Sequence, residues 1–212
     1  MPSTRIILKP LGAVIIIAAF GVVATIALLK NRAPATPAPA AMPVSPVTVA
    51  TPLSPLHLQN GDMESGTATP ANWESVWTGT GKLRAVRDTV KRGNGNASLR
   101  LESVGNAPVY GSVSQDVTGL APGQTIKVSV AGCAEGKLDE AFLVIQVFDP
   151  AFKRQLSFDA VAKKDDLVGK NGFATFTREI TLPKEPFVAR LVVLIKGSGT
   201  VWADDVVITA TK

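Results

Sequence analysis

Thr125-Ile126-Lys127-Val128-Ser129-Val130-Ala131 decides the fold class. Ile126, Val128 and Val130 alternate with Lys127 and Ser129, a period of two that gives a strand one core face and one wet face. Ser98–Glu102 repeats the pattern, with Leu99 and Leu101 between Ser98, Arg100 and Glu102. Phe142–Phe148 is nearly continuously apolar and predicts a central strand covered on both faces. Further strands are predicted at Leu83–Arg87, Tyr110–Val117, Gln155–Ala160, Ala174–Leu182, Val188–Lys196 and Val201–Thr209. Turn chemistry separates them: residues 91–96 (KRGNGN), Ala121-Pro122-Gly123-Gln124, Lys170-Asn171-Gly172 and Gly197-Ser198-Gly199. Short strands punctuated this way predict an all-β sandwich or barrel over residues 57–212.

Upstream the chain changes character. Leu11–Leu29 reads LGAVIIIAAFGVVATIALL, without charge or proline. At about 1.5 Å per residue it is about 29 Å long, close to the thickness of a bilayer's hydrocarbon core. It is expected to be a transmembrane signal anchor behind a short cytoplasmic tail, residues 1–10. The basic Lys30-Asn31-Arg32 directly after it disfavours a cleaved signal peptide, although Ala33-Pro34-Ala35 offers small residues nearby. Basic residues flank the span on both sides. The short N-terminal tail and long C-terminal portion favour an inner-membrane, single-pass arrangement with the C-terminal domain periplasmic or extracellular. Residues 31–56 hold seven prolines among Ala, Thr, Val and Ser. That composition predicts a semi-rigid spacer of about 80 Å at full polyproline extension.

The formal charge of +5 sits mostly in this N-terminal part. Arg5, Lys9, Lys30 and Arg32 leave 22 − 4 = 18 basic against 17 acidic residues in 57–212. A nearly neutral domain argues against nucleic acid as a partner. His57 is the only histidine and Cys133 the only cysteine. No histidine-based triad, zinc cluster or intrachain disulfide can be assembled. No pair of carboxylates is singled out by spacing, so no enzyme is expected, with a glycoside hydrolase kept as the third reading.

Several segments in order resemble carbohydrate-binding modules of families 4, 9 and 22, whose fold is the galactose-binding-like jelly roll. They are Leu58-Gln59-Asn60-Gly61-Asp62-Met63-Glu64, Asn72-Trp73, Gly95-Asn96-Ala97-Ser98-Leu99-Arg100-Leu101, Ser114-Gln115-Asp116-Val117 before Leu120-Ala121-Pro122-Gly123, and Val201-Trp202-Ala203-Asp204-Asp205-Val206. The resemblance implies a two-sheet jelly-roll sandwich that binds polysaccharide or an envelope glycan without catalysis. It departs from the family pattern at Tyr110 and Phe173, where tryptophans are usual.

Sugar recognition needs exposed aromatics for stacking and amides, acids or arginines for hydroxyls. Trp77 and Tyr110 have polar and glycine neighbours that suggest exposure, whereas Trp73 and Trp202 read as interior. Gln115, Arg84, Arg87 and Gln146 are expected to supply hydroxyl contacts from a concave sheet face. The resemblance also implies a structural calcium held by Glu64 and Asp205, with carbonyls of Lys91 and Asn96. The competing function is a protein-interaction scaffold for envelope partners, such as an export or secretion complex.

Overall fold

The computed structural model describes residues 58–170 and 172–211. The anchor, the tether and His57 lie outside that range. Among the described residues, no helix is long and apolar enough to cross a membrane.

Eight strands and one helical turn account for the domain: β1 Ser75–Thr80, β2 Leu83–Asp88, β3 Ser98–Ser103, β4 Val109–Val117, β5 Thr125–Phe148, β6 Gln155–Lys163, α1 Lys164–Leu167, β7 Ala174–Thr181 and β8 Val188–Ala210. Every strand pairing is antiparallel. The long strands β5 and β8 pair with each other from Ile126 opposite Ala210 to Phe148 opposite Val188.

Their halves have different outer neighbours, and this builds two layers. The first half of β8 pairs with β4, and the second half of β5 with β6, so one layer runs β1–β4–β8–β5–β6. The second half of β8 pairs with β3, and the first half of β5 with β7, so the other runs β2–β3–β8–β5–β7. Both long strands change layer near Gly136, which faces Gly199, and Gly197, which faces Leu138. Gly136 and Gly197 have φ of 101° and 114°. A Cβ at Gly197 would stand 2.5 Å from the Lys137 carbonyl oxygen, so only glycine lets the backbones approach this closely.

Residues from both layers form one core: Leu99, Leu101, Ile126 and Val128 from one side, Val113, Leu143, Leu191 and Ile195 from the other. Trp73 and Met63 are fully buried among them. This is an all-β sandwich, as the alternation predicts. Two expectations are corrected. Gly197-Ser198-Gly199 is a corner within one strand, and β5 likewise runs through 132–141 without a break. Paired glycines re-aim a strand at a sandwich corner as readily as they end it. β1 was not expected, because Ser-Val-Trp-Thr-Gly-Thr reads as loop without an alternating apolar face.

Candidate functional site

The site follows from strand parity. In the β1–β4–β8–β5–β6 layer, Val113, Leu191, Val193, Leu143 and Ile145 face the core. Their neighbours along each strand face outward. Cross-strand register then fixes four rows across the outer face. Asp116, Arg190, Gln146 and Phe158 form one; Ser75, Ser114, Val192, Val144 and Ala160 the next. Trp77, Ser112, Leu194, Phe142 and Lys163 make the third, and Thr80, Tyr110, Lys196 and Glu140 the last.

Large side chains stand along two sides. Trp77 and Tyr110 meet edge to face with centroids 5.2 Å apart. Phe142 and Phe158 do the same at 5.3 Å on the opposite side. Val144, Val192 and Leu194 form a small second apolar cluster between them, with Phe142 packed against it. The small serines leave a groove of about 300 Å³ lined by Ser75, Trp77, Tyr110, Ser112, Ser114, Gln146, Phe148, Arg190, Val192 and Leu194. Trp77 is 52 % exposed and Tyr110 37 %. The hydroxyls of Ser75, Ser112 and Ser114 and the amide of Gln146 are engaged by no other described side-chain or main-chain group, so four free polar groups converge on an aromatic-walled groove. A second depression, also about 300 Å³, shares Ser75, Ser114 and Arg190 and extends toward Gln59, Asn72, Glu74, Asp116 and Thr118. Arg190 is held there by Asp116 at 2.6 Å and lies 4.5 Å over the Phe152 ring.

Three of the expected hydroxyl-binding residues do not line this groove, although Gln115 borders the second depression. Gln115 shares the inward parity of Val113 and Val117. Its side chain accepts from Gln59 N at 2.7 Å and donates to the Gln59 and Asn72 carbonyls at 2.9 and 3.1 Å. It is a buried tie that fixes the incoming N-terminal segment. Arg84 lies on the outer face of the opposite layer, ion-paired with Glu102. Arg87 donates to the carbonyls of Met63 (3.1 Å) and Glu64 (2.8 Å). Trp77, Tyr110 and Gln146 are brought together. Ser75, Ser112, Ser114 and Arg190 were missed, although alternation with Val113, Val117, Ala189 and Leu191 signals the outward parity of the last three.

The expected calcium residues cluster around one loop. Glu64 accepts from Asn96 N at 2.6 Å, from Ala97 N at 3.2 Å and from the Asn96 side chain at 3.2 Å. The Asn96 main-chain N–H is the main reason its carboxyl is held below the usual carboxylate range. Asp205 accepts from the Asn94 side chain at 2.6 Å. The Lys91 carbonyl accepts from the Ser98 hydroxyl at 2.6 Å, and its ammonium pairs with Glu135 and lies 4.1 Å over the Trp202 ring. Trp202 itself is anchored by its indole N–H to Asp88 at 2.9 Å. The buried acid is the neighbouring Asp204, fully inaccessible, accepting from Gly93 N at 2.9 Å and Asp205 N at 2.8 Å. Burial pushes its carboxyl up to about 6.

The fit to calcium is partial. Asp204 carries a buried charge with no cationic partner among the described ion pairs, which suits a hard cation. Donor groups, however, face Glu64, Asp204 and Asp205, and no cluster of three metal-ligating side chains exists among the described residues.

No protein-family model matches the sequence, and no curated protein does. Solved structures share the fold. The C-terminal family 22 carbohydrate binding module of Clostridium thermocellum Xyn10B aligns with TM-score 0.52 and 16 % identity over 72 % of this chain and 94 % of its own. The CBM22-1 xylan-binding domain of Paenibacillus barcinonensis Xyn10C aligns with TM-score 0.50 and 13 % identity, covering 72 % of this chain and 92 % of its own. The enzymatically active domain of bacteriophage CBA120 tailspike protein 4 aligns with TM-score 0.56 and 13 % identity over 73 % of this chain. The match spans 21 % of the length of that solved domain chain. The sandwich is thus that of carbohydrate-binding modules, as the sequence resemblance implies. At these identities the likeness concerns the fold.

Proposed function

We propose that this chain is a non-catalytic glycan-binding module with a jelly-roll sandwich, tethered to the envelope membrane of a bacterium by residues 11–29 and the 31–56 spacer. The carrying observation is the convergence of Ser75, Ser112, Ser114 and Gln146, all free to hydrogen-bond, beside exposed Trp77 and Tyr110 on one sheet face. Aromatic faces stack on the C–H faces of sugars, and hydroxyl and amide groups meet the sugar hydroxyls. The neighbouring xylan-binding fold supports the reading. The uninterrupted apolar run of 11–29 supports a single membrane span, with the domain periplasmic or extracellular. Calcium joins the proposal as a stabilising ion beside the 91–96 loop, with Asp204 rather than Asp205 as the principal acid and main-chain carbonyls as the further ligands.

Affinity electrophoresis of the full chain through gels containing xylan, β-glucan or envelope polysaccharide tests this. Retardation by at least one polymer, lost in Trp77→Ala, is the expected result. Migration unaffected by every polymer would overturn it.

A scaffold for envelope proteins is the second reading, and the edge strand β1 favours it. The other edge strands carry charges: Arg84, Arg87 and Asp88 in β2, Asp159 and Lys163 in β6, Arg178 and Glu179 in β7. β1 carries none and is exposed along all six residues, an edge that lacks the usual protection against strand pairing. Hydrolysis is the third reading, resting on the tailspike neighbour and on Glu74 and Asp116 in the second depression.

A further inference from the structure

Phe152 departs from the way this chain otherwise uses left-handed backbone. Ten of the described residues with positive φ are glycines, and Asn60, Asn72 and Asp205 are short polar residues that tolerate the region. Two large side chains remain, Met63 at φ 57° and Phe152 at φ 55°. Met63 is fully buried, so core packing explains it. Phe152 has 45 % of its surface open, and it does not belong to the core that would offset the strain.

The turn that carries it is well fixed. Phe152 N donates to the Asp149 carbonyl at 2.9 Å, Lys153 N to the Asp149 carboxylate at 2.7 Å, and Asp149 N to the Arg154 carbonyl at 2.9 Å. The ring is held as well. The Arg190 guanidinium lies 4.5 Å from its centroid, and Phe148 lies 5.7 Å away at a tilt of 40°. Asp116 in turn fixes Arg190 at 2.6 Å. An exposed flat ring, backed by a cation and set on a rigid turn, suits a sugar: C–H faces stack on it, and little side-chain freedom remains to be lost on binding.

Its position relative to Trp77 sets the scale of the ligand. From Ser112, opposite Trp77, to Asp116, opposite Arg190, is four residues along β4, about 14 Å at about 3.4 Å each. Phe152 lies past that row, on the hairpin that follows Phe148. Ser75, Ser114 and Arg190 line both depressions and join the two ends. Glu74, Asp116 and Thr118 give the second depression acceptors for hydroxyls.

We infer that Phe152 is a second stacking platform, holding one sugar of a glycan chain beside the second depression while Trp77 holds another. The inference rests on the glycan-binding function proposed above and deepens it: the ligand is an oligosaccharide stretch long enough to reach both rings.

Affinity electrophoresis of the full chain in the xylan, β-glucan and envelope-polysaccharide gels, with a thermal melt of each variant, tests it. With 45 % of about 200 Å² open, and a sugar covering about half of that at about 25 cal/mol per Å², losing the ring corresponds to about sixfold in dissociation constant. Phe152→Asn, whose side chain suits left-handed backbone, is therefore expected to weaken binding of the polymer that retards the parent most by about sixfold. Phe152→Tyr keeps the ring and restores binding to within about twofold, whereas Phe152→Leu keeps apolar bulk without the ring and stays weak. Hexamers of that polymer should compete better than dimers against the parent, and this advantage should shrink about sixfold in Phe152→Asn. Phe152→Asn retarded like the parent, with retardation lost in Trp77→Ala, overturns the inference and leaves the glycan function standing. Binding restored by Phe152→Leu assigns the ring to holding the hairpin and also overturns the inference. Retardation by none of the polymers removes both.

Discussion

Replacing Trp77 by alanine perturbs the groove wall with little effect on the fold. Trp77 lies on the edge strand β1, with 52 % of its surface open. A tryptophan offers up to about 250 Å², so about 130 Å² is available, and a sugar on one face covers about half of that. About 65 Å² at about 25 cal/mol per Å² is about 1.6 kcal/mol, or about 15-fold in dissociation constant. Among the described residues the aromatic partner lost is Tyr110, whose edge-to-face contact accounts for about 1 kcal/mol of stability, or about 2–4 °C in Tm. Titration calorimetry of the full chain against the best-retarding polymer, with a thermal melt of each variant, reads both quantities. Affinity weakened tenfold or more with Tm lowered by less than about 5 °C is the expected outcome. Affinity within twofold of the parent, in a variant that melts normally, would refute stacking at Trp77.

Gln115→Leu should leave ligand affinity within twofold but lower Tm by about 5–10 °C, because the Gln59 and Asn72 main-chain groups that it satisfies become unpaired, costing about 2–3 kcal/mol; a weakened affinity at unchanged Tm would return it to the binding face. With chelator present, Asp204 should make the domain less stable at pH 7 than near pH 5. Its folded pKa of about 6 stands above the ordinary 3.8, so the folded state binds the extra proton and stability falls as pH rises from about 4 to about 6, by up to about 3 kcal/mol. Asp204→Asn should flatten that slope in the melting curves; an identical slope in the variant would locate the titration elsewhere. Calcium should raise the parent's Tm at pH 7 by several degrees and leave Asp204→Asn unmoved, and a parent Tm equal in calcium and in chelator would remove the ion from the account. Gly197→Ala should cost about 2–4 kcal/mol in denaturant melts, since its φ of 114° and the Lys137 carbonyl leave no space for a methyl.

The layers were legible in the sequence wherever one face of a strand is buried and the other wet. Ile126, Val128 and Val130 carried that signal, as did Leu99 and Leu101. Trp77, Tyr110 and Gln146 could be named because exposed aromatics beside glycine, and an amide interrupting an apolar strand, are visible without coordinates. β1 was not legible: an edge strand exposed along its whole length has no buried face to impose a period. The corners at Gly136 and Gly197 read as turns because glycine serves both. Arg84 and Arg87 were misassigned because composition does not say which layer a strand joins. Gln115 differs, since its parity with Val113 and Val117 was readable and points inward. Asp204 and Asp205 illustrate a harder limit. Asp205 has a φ of 49°, in the left-handed region, and the β5–β8 register slips beside it between Ser129 and Ala131. Strand parity fails across such an irregularity, so the buried acid of the pair is set by tertiary structure.

The central claim is that the outer face of the β1–β4–β8–β5–β6 layer is where ligand sits. Amide chemical-shift mapping of the full chain during titration with an oligosaccharide of the polymer that retards it most tests it most directly. Shifts confined to Ser75, Trp77, Tyr110, Ser112, Ser114 and Gln146 and their strand neighbours are predicted. Shifts centred on Arg84, Arg100 and Glu102 of the opposite layer, or a spectrum unmoved at millimolar ligand, would contradict it.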